Sequence, residues 1–407
     1  MRLRFLPPDV LPETRLLLWG RALRAFGDGL VSLLLPFYLT LLGFDPLAIG
    51  VLTAATLAGS AALTLVVGFT AHRFGQRGLL VAATLLMIAT GIGFTLETRF
   101  WPLVLIGFLG TLNPSSGDVS VFLPLEQAML AETTSDRSRT AVFAVYSLVG
   151  SLVAAAGSLA AAVPELLSTA LPISLLTALQ AMFALYALLG LATYYIYRRL
   201  PQRFDRRGGA PRQALGPSRR IVLMLAALFS LDAFGGGFIV QSLLALWLFD
   251  RFGLSLAAAG SFFFWSGVLS AGSYLAAARI ARHIGLVNTM VFTHLPSNIL
   301  LILAPFAPSL WLALALLLLR SALSQMDVPT RTSYVMAVVT PGERAAAASV
   351  TSVPRSLAAA ASPLAAGYLL GLSAFGWPLV AAGALKAIYD VLLLVLFRHR
   401  RPPEEQR

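Results

Sequence analysis

Long apolar runs, each closed by a short polar turn, dominate the chain. A bilayer core of about 30 Å is crossed by about 20 residues of α-helix. Twelve runs reach that length: 17–42, 47–69, 79–96, 101–131, 140–163, 172–196, 221–249, 254–278, 286–306, 309–338, 346–371 and 375–397. Apolar and polar positions do not alternate within them, so barrel strands are excluded and the backbone must satisfy its hydrogen bonds inside helices. The pattern predicts an all-α membrane protein of twelve transmembrane helices.

The runs fall into two sets of six, and the sets repeat each other. AFGDGLV at 25–31 answers AFGGGFI at 233–239, and Asp136-Arg137 falls on Glu343-Arg344 at an offset of 207. Between the sets lies 198–220, RRLPQRFDRRGGAPRQALGPSRR, with eight arginines and one acid. This predicts an N-terminal six-helix bundle (1–197), a basic linker (198–220) and a C-terminal six-helix bundle (221–407). Linker and tail are rich in Arg, Pro and Gly and read as disordered.

Composition agrees: 58% of residues are hydrophobic and 12% charged, with mean hydropathy +0.81, the profile of an integral membrane protein. Cysteine is absent and the four histidines are scattered, so neither a metal site nor a cofactor is expected. A net charge of +12 would suggest nucleic acid in a soluble chain. Here the basic residues report topology, because 22 lie in the termini, the linker and alternate loops, against Arg99 and Arg251 on the other side. The positive-inside tendency places both termini and the linker in the cytoplasm, against anionic lipid, with no nucleic-acid partner. The first run, with arginines inside its own start and no cleavage site, reads as span 1 rather than a signal peptide. The expected location is a bacterial plasma (inner) membrane, as a multi-pass monomer.

Charges at bilayer depth cost about 2.5 to 3.5 kcal/mol each and mark function. They fall on every third span: Arg21, Arg24 and Asp28 in span 1, Asp118 and Glu126 in span 4, Asp232 in span 7, and Arg320, Asp327 and Arg331 in span 10. Arg21, Arg24, Asp28 and Ser32 share one helix face, as do Arg320, Ser324, Asp327, Arg331 and Tyr334. These four spans are expected to line a polar cavity. Asn113-Pro114, Gly117, Pro124 and Pro329 interrupt spans 4 and 10, the pattern that points to a transporter's site. The proton-coupling candidates are Asp28, Asp118, Asp232, Asp327 and Glu126. The cavity candidates are Arg24, Arg320, Arg331, Arg355, Ser324, Tyr334 and Asn113. Asp28 and Asp232 are expected to face each other's half. Asp327 and Arg331 should pair at i, i+4, leaving Arg320 over, and Lys386 and Asp390 should pair likewise. His294 reads as a structural histidine. Small-residue runs in spans 2, 5, 8 and 11 allow close helix approach and are expected at contacts between the halves.

The loop after span 2, GFTAHRFGQRG, resembles that of the major facilitator superfamily, and the resemblance extends over all twelve spans. Gly68, Arg73, Gly75 and Arg77 match the loop pattern, with His72 where the family has Asp. That implies a gating loop with an altered charge relay. The family's antiporter signature in span 5 is partial: Gly150 and Gly157 are present and Ser158 replaces its proline. The resemblance implies two parallel repeats about a mid-membrane site. No nucleophile or ATP-binding pattern suggests an enzyme. The expected function is proton-coupled efflux of a small molecule by alternating access, with a proton or another coupling ion as partner. The alternatives are uptake or exchange of an anionic solute held by arginine, a lipid scramblase, and a receptor that does not transport.

Overall fold

The computed structural model describes residues 11–115, 120–134, 139–205, 216–340 and 343–398. All regular structure among them is helical. Two compact units emerge, one of 1–209 with 254–264, the other of 210–253 with 265–407.

The first unit runs α1 (Pro12–Leu41), α2 (Pro46–Phe74), α3 (Gln76–Leu96), α4 (Phe100–Leu109), α5 (Phe122–Glu132), α6 (Arg139–Leu159), α7 (Val163–Ala170) and α8 (Leu175–Arg198). Then come α9 (Arg219–Gly237), α10 (Gln241–Phe252), α11 (Leu256–Ile284), α12 (Leu286–Leu303), α13 (Leu310–Ser324), α14 (Asp327–Val338), α15 (Arg344–Leu372) and α16 (Trp377–Phe397). Among the described residues, ten helical stretches are long and apolar enough to cross a bilayer. The broken span 4 and the 29-residue α15 complete the twelve spans of two six-helix repeats.

Span 4 breaks between α4 and α5 and span 10 at Gln325-Met326, as expected. Pro124 and Pro329 do not sit in the gaps. Each is the third residue of the following helix, where a missing N–H costs no hydrogen bond. Span 7 also breaks, between α9 and α10, after Gly235-Gly236-Gly237, residues that weaken a helix interior.

Each unit packs its first span against its fifth and its third against its sixth. Glycine makes the first pairing possible. A Cβ on Gly29 would strike the backbone of Ala154, and one on Gly237 would strike Ser362 and Ala359. Gly29 and Gly237 stand 208 apart, as do Ala154 and Ser362, so the repeat preserves this contact. Lipid gives no hydrophobic drive to helix association, and such close approach replaces it. The small residues of α6 and α15 serve these pairings, and those of α6 also meet span 8, where a Cβ on Gly260 of α11 would strike the Ser158 carbonyl. In the first unit Glu165 of α7 also accepts from the N–H groups of Leu256 and Ala257 at 2.8 and 3.1 Å, capping the start of α11.

The ends of the linker are ordered, unlike the expectation. Residues 202–205 form a 3-10 turn with Phe204 buried, and Gly216 donates its N–H to Glu343. Charge is the reason, because Asp205 and Glu343 give the backbone and arginine ends fixed partners.

Candidate functional site

Charged side chains at depth gather into one cluster per unit. In the first, Glu126 of α5 is fully buried. It accepts from Arg24 of α1, Tyr146 of α6 and Tyr197 of α8. Arg24 also donates to the Tyr197 hydroxyl at 3.3 Å and lies over the Phe122 ring at 4.1 Å. Four helices therefore close on one carboxylate, which accepts from all three of these donors. Arg21 is 8% exposed, seated against Gly150 and 5.2 Å from the Tyr146 ring, and its Nε and Nη1 have no partner among the described residues. Asp28, 5% exposed and one turn beyond Arg24, makes no hydrogen bond or ion pair among the described residues.

The second cluster is a shared network. Asp232 of α9 meets Lys386 of α16 at 2.6 Å and Arg331 of α14 at 3.1 Å. Arg331 also meets Asp327 at 3.3 Å, the expected i, i+4 pair. Lys386 does not pair with Asp390, as spacing suggested. Its stem lies along Gly235 and Gly236, which lets the ammonium reach Asp232. Asp390 instead takes His294 Nδ1 at 2.9 Å and the Asn298 amide at 2.8 Å, both from α12. His294 Nε2 lies 3.9 Å from Asp232. Arg320 of α13 is partly buried, with Nε unpartnered and no ion pair among the described residues.

The other candidates scatter. Tyr334 is fully buried in the core of its unit, edge-on to Phe397 at 6.0 Å. Ser324 ends α13 and is 7% exposed. Asn113 lies in the break after α4, its Oδ1 accepting from Ser115 N and Oγ at 3.0 and 2.8 Å. Arg355 is half-buried on α15. Asp118 and Gly117 lie outside the described residues. No group of three or more acids and histidines able to hold a metal occurs among those described.

In the gating loop, Gly68, His72 and Arg73 belong to the end of α2 and Gly75 starts the turn with φ 74°, a conformation that favours glycine. Arg77 meets Asp205 at 3.2 Å and the Arg198 carbonyl at 3.0 Å, and Gly78 N–H donates to Asp205 at 3.1 Å. A linker carboxylate thus serves this loop, whose own position 72 is His. The second half repeats the turn at Gly285, φ 85°, within ARHIG, which answers AHRFG. Sequence reasoning missed Tyr146, Tyr197, Asn298 and Asp205. They come from other helices, so no spacing announces them.

Comparison with known proteins agrees with this architecture. The chain is 25% identical over 417 residues to an uncharacterized membrane protein of Saccharomyces cerevisiae, covering 94% of this chain and 93% of that protein. A point mutant of the nucleoside transporter NupG shares the fold with TM-score 0.75 at 12% identity, over 95% of this chain and 100% of that one. A bacterial homolog of the human lysosomal transporter Spinster does so with TM-score 0.75 at 15% identity, over 95% and 97%. The family model of the Major Facilitator Superfamily matches residues 17–299. The chain therefore belongs to the Major Facilitator Superfamily and is a membrane transporter, not an enzyme.

Proposed function

We propose that this transporter is a proton-coupled exporter of a small molecule, working as a monomer by alternating access, with bundles 1–197 and 221–407, linker and both termini cytoplasmic. Asp28 carries the reading. Glu126, Asp232 and Asp327 all form ion pairs, whereas Asp28 is buried and forms none among the described residues, Arg24 and Arg21 acting on it only from a distance. An unpaired carboxylate at bilayer depth is tolerated only when protonated or wet, so alternating exposure to the two sides loads and unloads a proton. The test begins with a thermal-shift screen of metabolites and drugs at two pH values to find a ligand. Purified protein in liposomes should then accumulate it against an imposed pH gradient, and Asp28→Asn should remove the gradient dependence while folded protein remains. Unchanged coupling in that variant would reject the assignment.

A second reading, uptake or exchange of an anionic solute, draws on Arg320. Of the three arginines weighed for an anion, Arg24 and Arg331 are held by acids, which leaves Arg320 to meet a carboxylate or phosphate. Arg320→Gln would weaken ligand binding at intact stability. Selective binding of anions would favour this reading over export of neutral or amphipathic compounds.

A further inference from the structure

His294 is the one side chain of the second cluster whose ordinary titration falls near neutral pH. Its ring lies between two carboxylates: Nδ1 is 2.9 Å from Asp390 Oδ1, and Nε2 is 3.9 Å from Asp232 Oδ1. A neutral imidazole has one donor and one acceptor. With Asp390 ionised, the short contact to it places a proton on Nδ1, and Asn298 Nδ2, 3.2 Å from that nitrogen, gives its hydrogen bond to Asp390 Oδ2 at 2.8 Å instead. In the neutral form the bare Nε2 would then face Asp232, two acceptors opposed inside a buried cluster. The imidazolium removes that conflict: it donates to Asp390 and faces Asp232 with its charge at 3.9 Å.

Every facing element enters this balance. Asp390, Lys386 and Tyr389 come from α16, Asp232 from α9, Asp327 and Arg331 from α14, and Arg320 from α13. Tyr389 presents its ring edge-on to His294 at 6.0 Å. With His294 charged, each acid has its own cation: Lys386 with Asp232, Arg331 with Asp327, His294 with Asp390. With His294 neutral, three acids share Lys386, Arg331 and the more distant Arg320.

We infer that His294 is a second proton site of this transporter, protonated on both ring nitrogens in this conformation, with Asp390 as the positioning residue that orients the ring. When the cluster opens, the Nε2 proton passes to water. Nε2 then becomes an acceptor that Lys386 can serve, freeing one side of Asp232. The role in transport rests on the proton-coupled reading, whereas the protonation state of the ring does not.

Nitrogen NMR of full-length protein labelled at its four histidines tests the site directly. His294→Gln identifies the signal, and His72→Gln, His283→Gln and His399→Gln identify it by elimination should the first variant not fold. Both ring nitrogens of His294 are expected to carry protons at pH 7. Asp390→Asn should move the titration down by about one to three pH units. A wild-type His294 that is neutral at pH 7 overturns the proposal, as does a titration that Asp390→Asn leaves in place. Failure here, with Asp28→Asn still abolishing gradient dependence, would sink this site alone. A charged His294 with coupling intact in Asp28→Asn would sink the Asp28 assignment and leave this one.

Discussion

The first unit encloses its buried acid in a lock and the second distributes its acids through a network. Glu126 takes three donors from three helices, and no other acid hydrogen-bonds to them among the described residues. Arg21 and Asp28 stand outside this lock. In the second unit Asp232 answers to two cations, Arg331 to two acids, and Asp390 to a histidine and an amide. A lock resists change until it breaks, whereas a network can pass a proton or a partner along. The difference gives the first unit a fixed centre with Arg21 and Asp28 beside it, and the second unit groups that share their partners.

Glu126→Ala should do the most damage. It leaves Arg24 buried without its acid and two tyrosine hydroxyls without their acceptor, and breaking a buried pair costs about 3 to 5 kcal/mol. Thermal unfolding of purified protein measures it, and a loss near that of an exposed pair, about 0 to 1 kcal/mol, would show that the lock is not holding the helices. Gly29→Leu and Gly237→Leu should each cost about 1 to 3 kcal/mol or more by forcing α1 from α6 and α9 from α15. A loss in one unit and none in the other would break the structural equivalence of the repeats.

Lys386→Met should cost less than Glu126→Ala, about 1 to 3 kcal/mol, because Asp232 keeps Arg331. An equal loss in the two variants would mean that the network is as rigid as the lock. Asp28→Asn and Arg320→Gln remove groups that make no ion pair among the described residues, so stability should stay within about 0.5 kcal/mol or rise. A marked loss in either would reveal a structural pair.

The smallest effect belongs to Glu343. Hydrogen bonds from Ser218 and Thr340 and from the Gly216 N–H hold its carboxyl down from the ordinary 4.5 to about 2. Depressed in the folded state, this group stabilises above pH 4.5 and loses that contribution as pH falls toward about 2. Acid unfolding of Glu343→Gln should lack this component. A curve superimposable on the wild type would assign the acid sensitivity elsewhere.

Much of the fold was legible because a bilayer allows few answers. Apolar runs of spanning length must be helices, and the glycine motif at 25–31 and 233–239 declared the repeat before any contact was known. Spacing along one helix also named the right pair at Asp327 and Arg331. The same rule failed at Lys386 and Asp390, since Gly235 and Gly236 open a path to Asp232 that spacing within α16 cannot show. The break in span 7 could have been read from three consecutive glycines.

Sequence alone determined that this chain is a twelve-span, two-repeat membrane protein with costly charges at depth, because hydropathy, length and repetition are properties of one dimension. Which charge meets which was decided only by tertiary structure. Tyr146 and Tyr197 reach Glu126 from two other helices, His294 reaches Asp390 across 96 positions, and Asp205 returns from the linker to Arg77 across 128. An ion pair is set by a few ångströms of separation, and in a helical bundle that separation depends on which helices pack together rather than on distance along the chain.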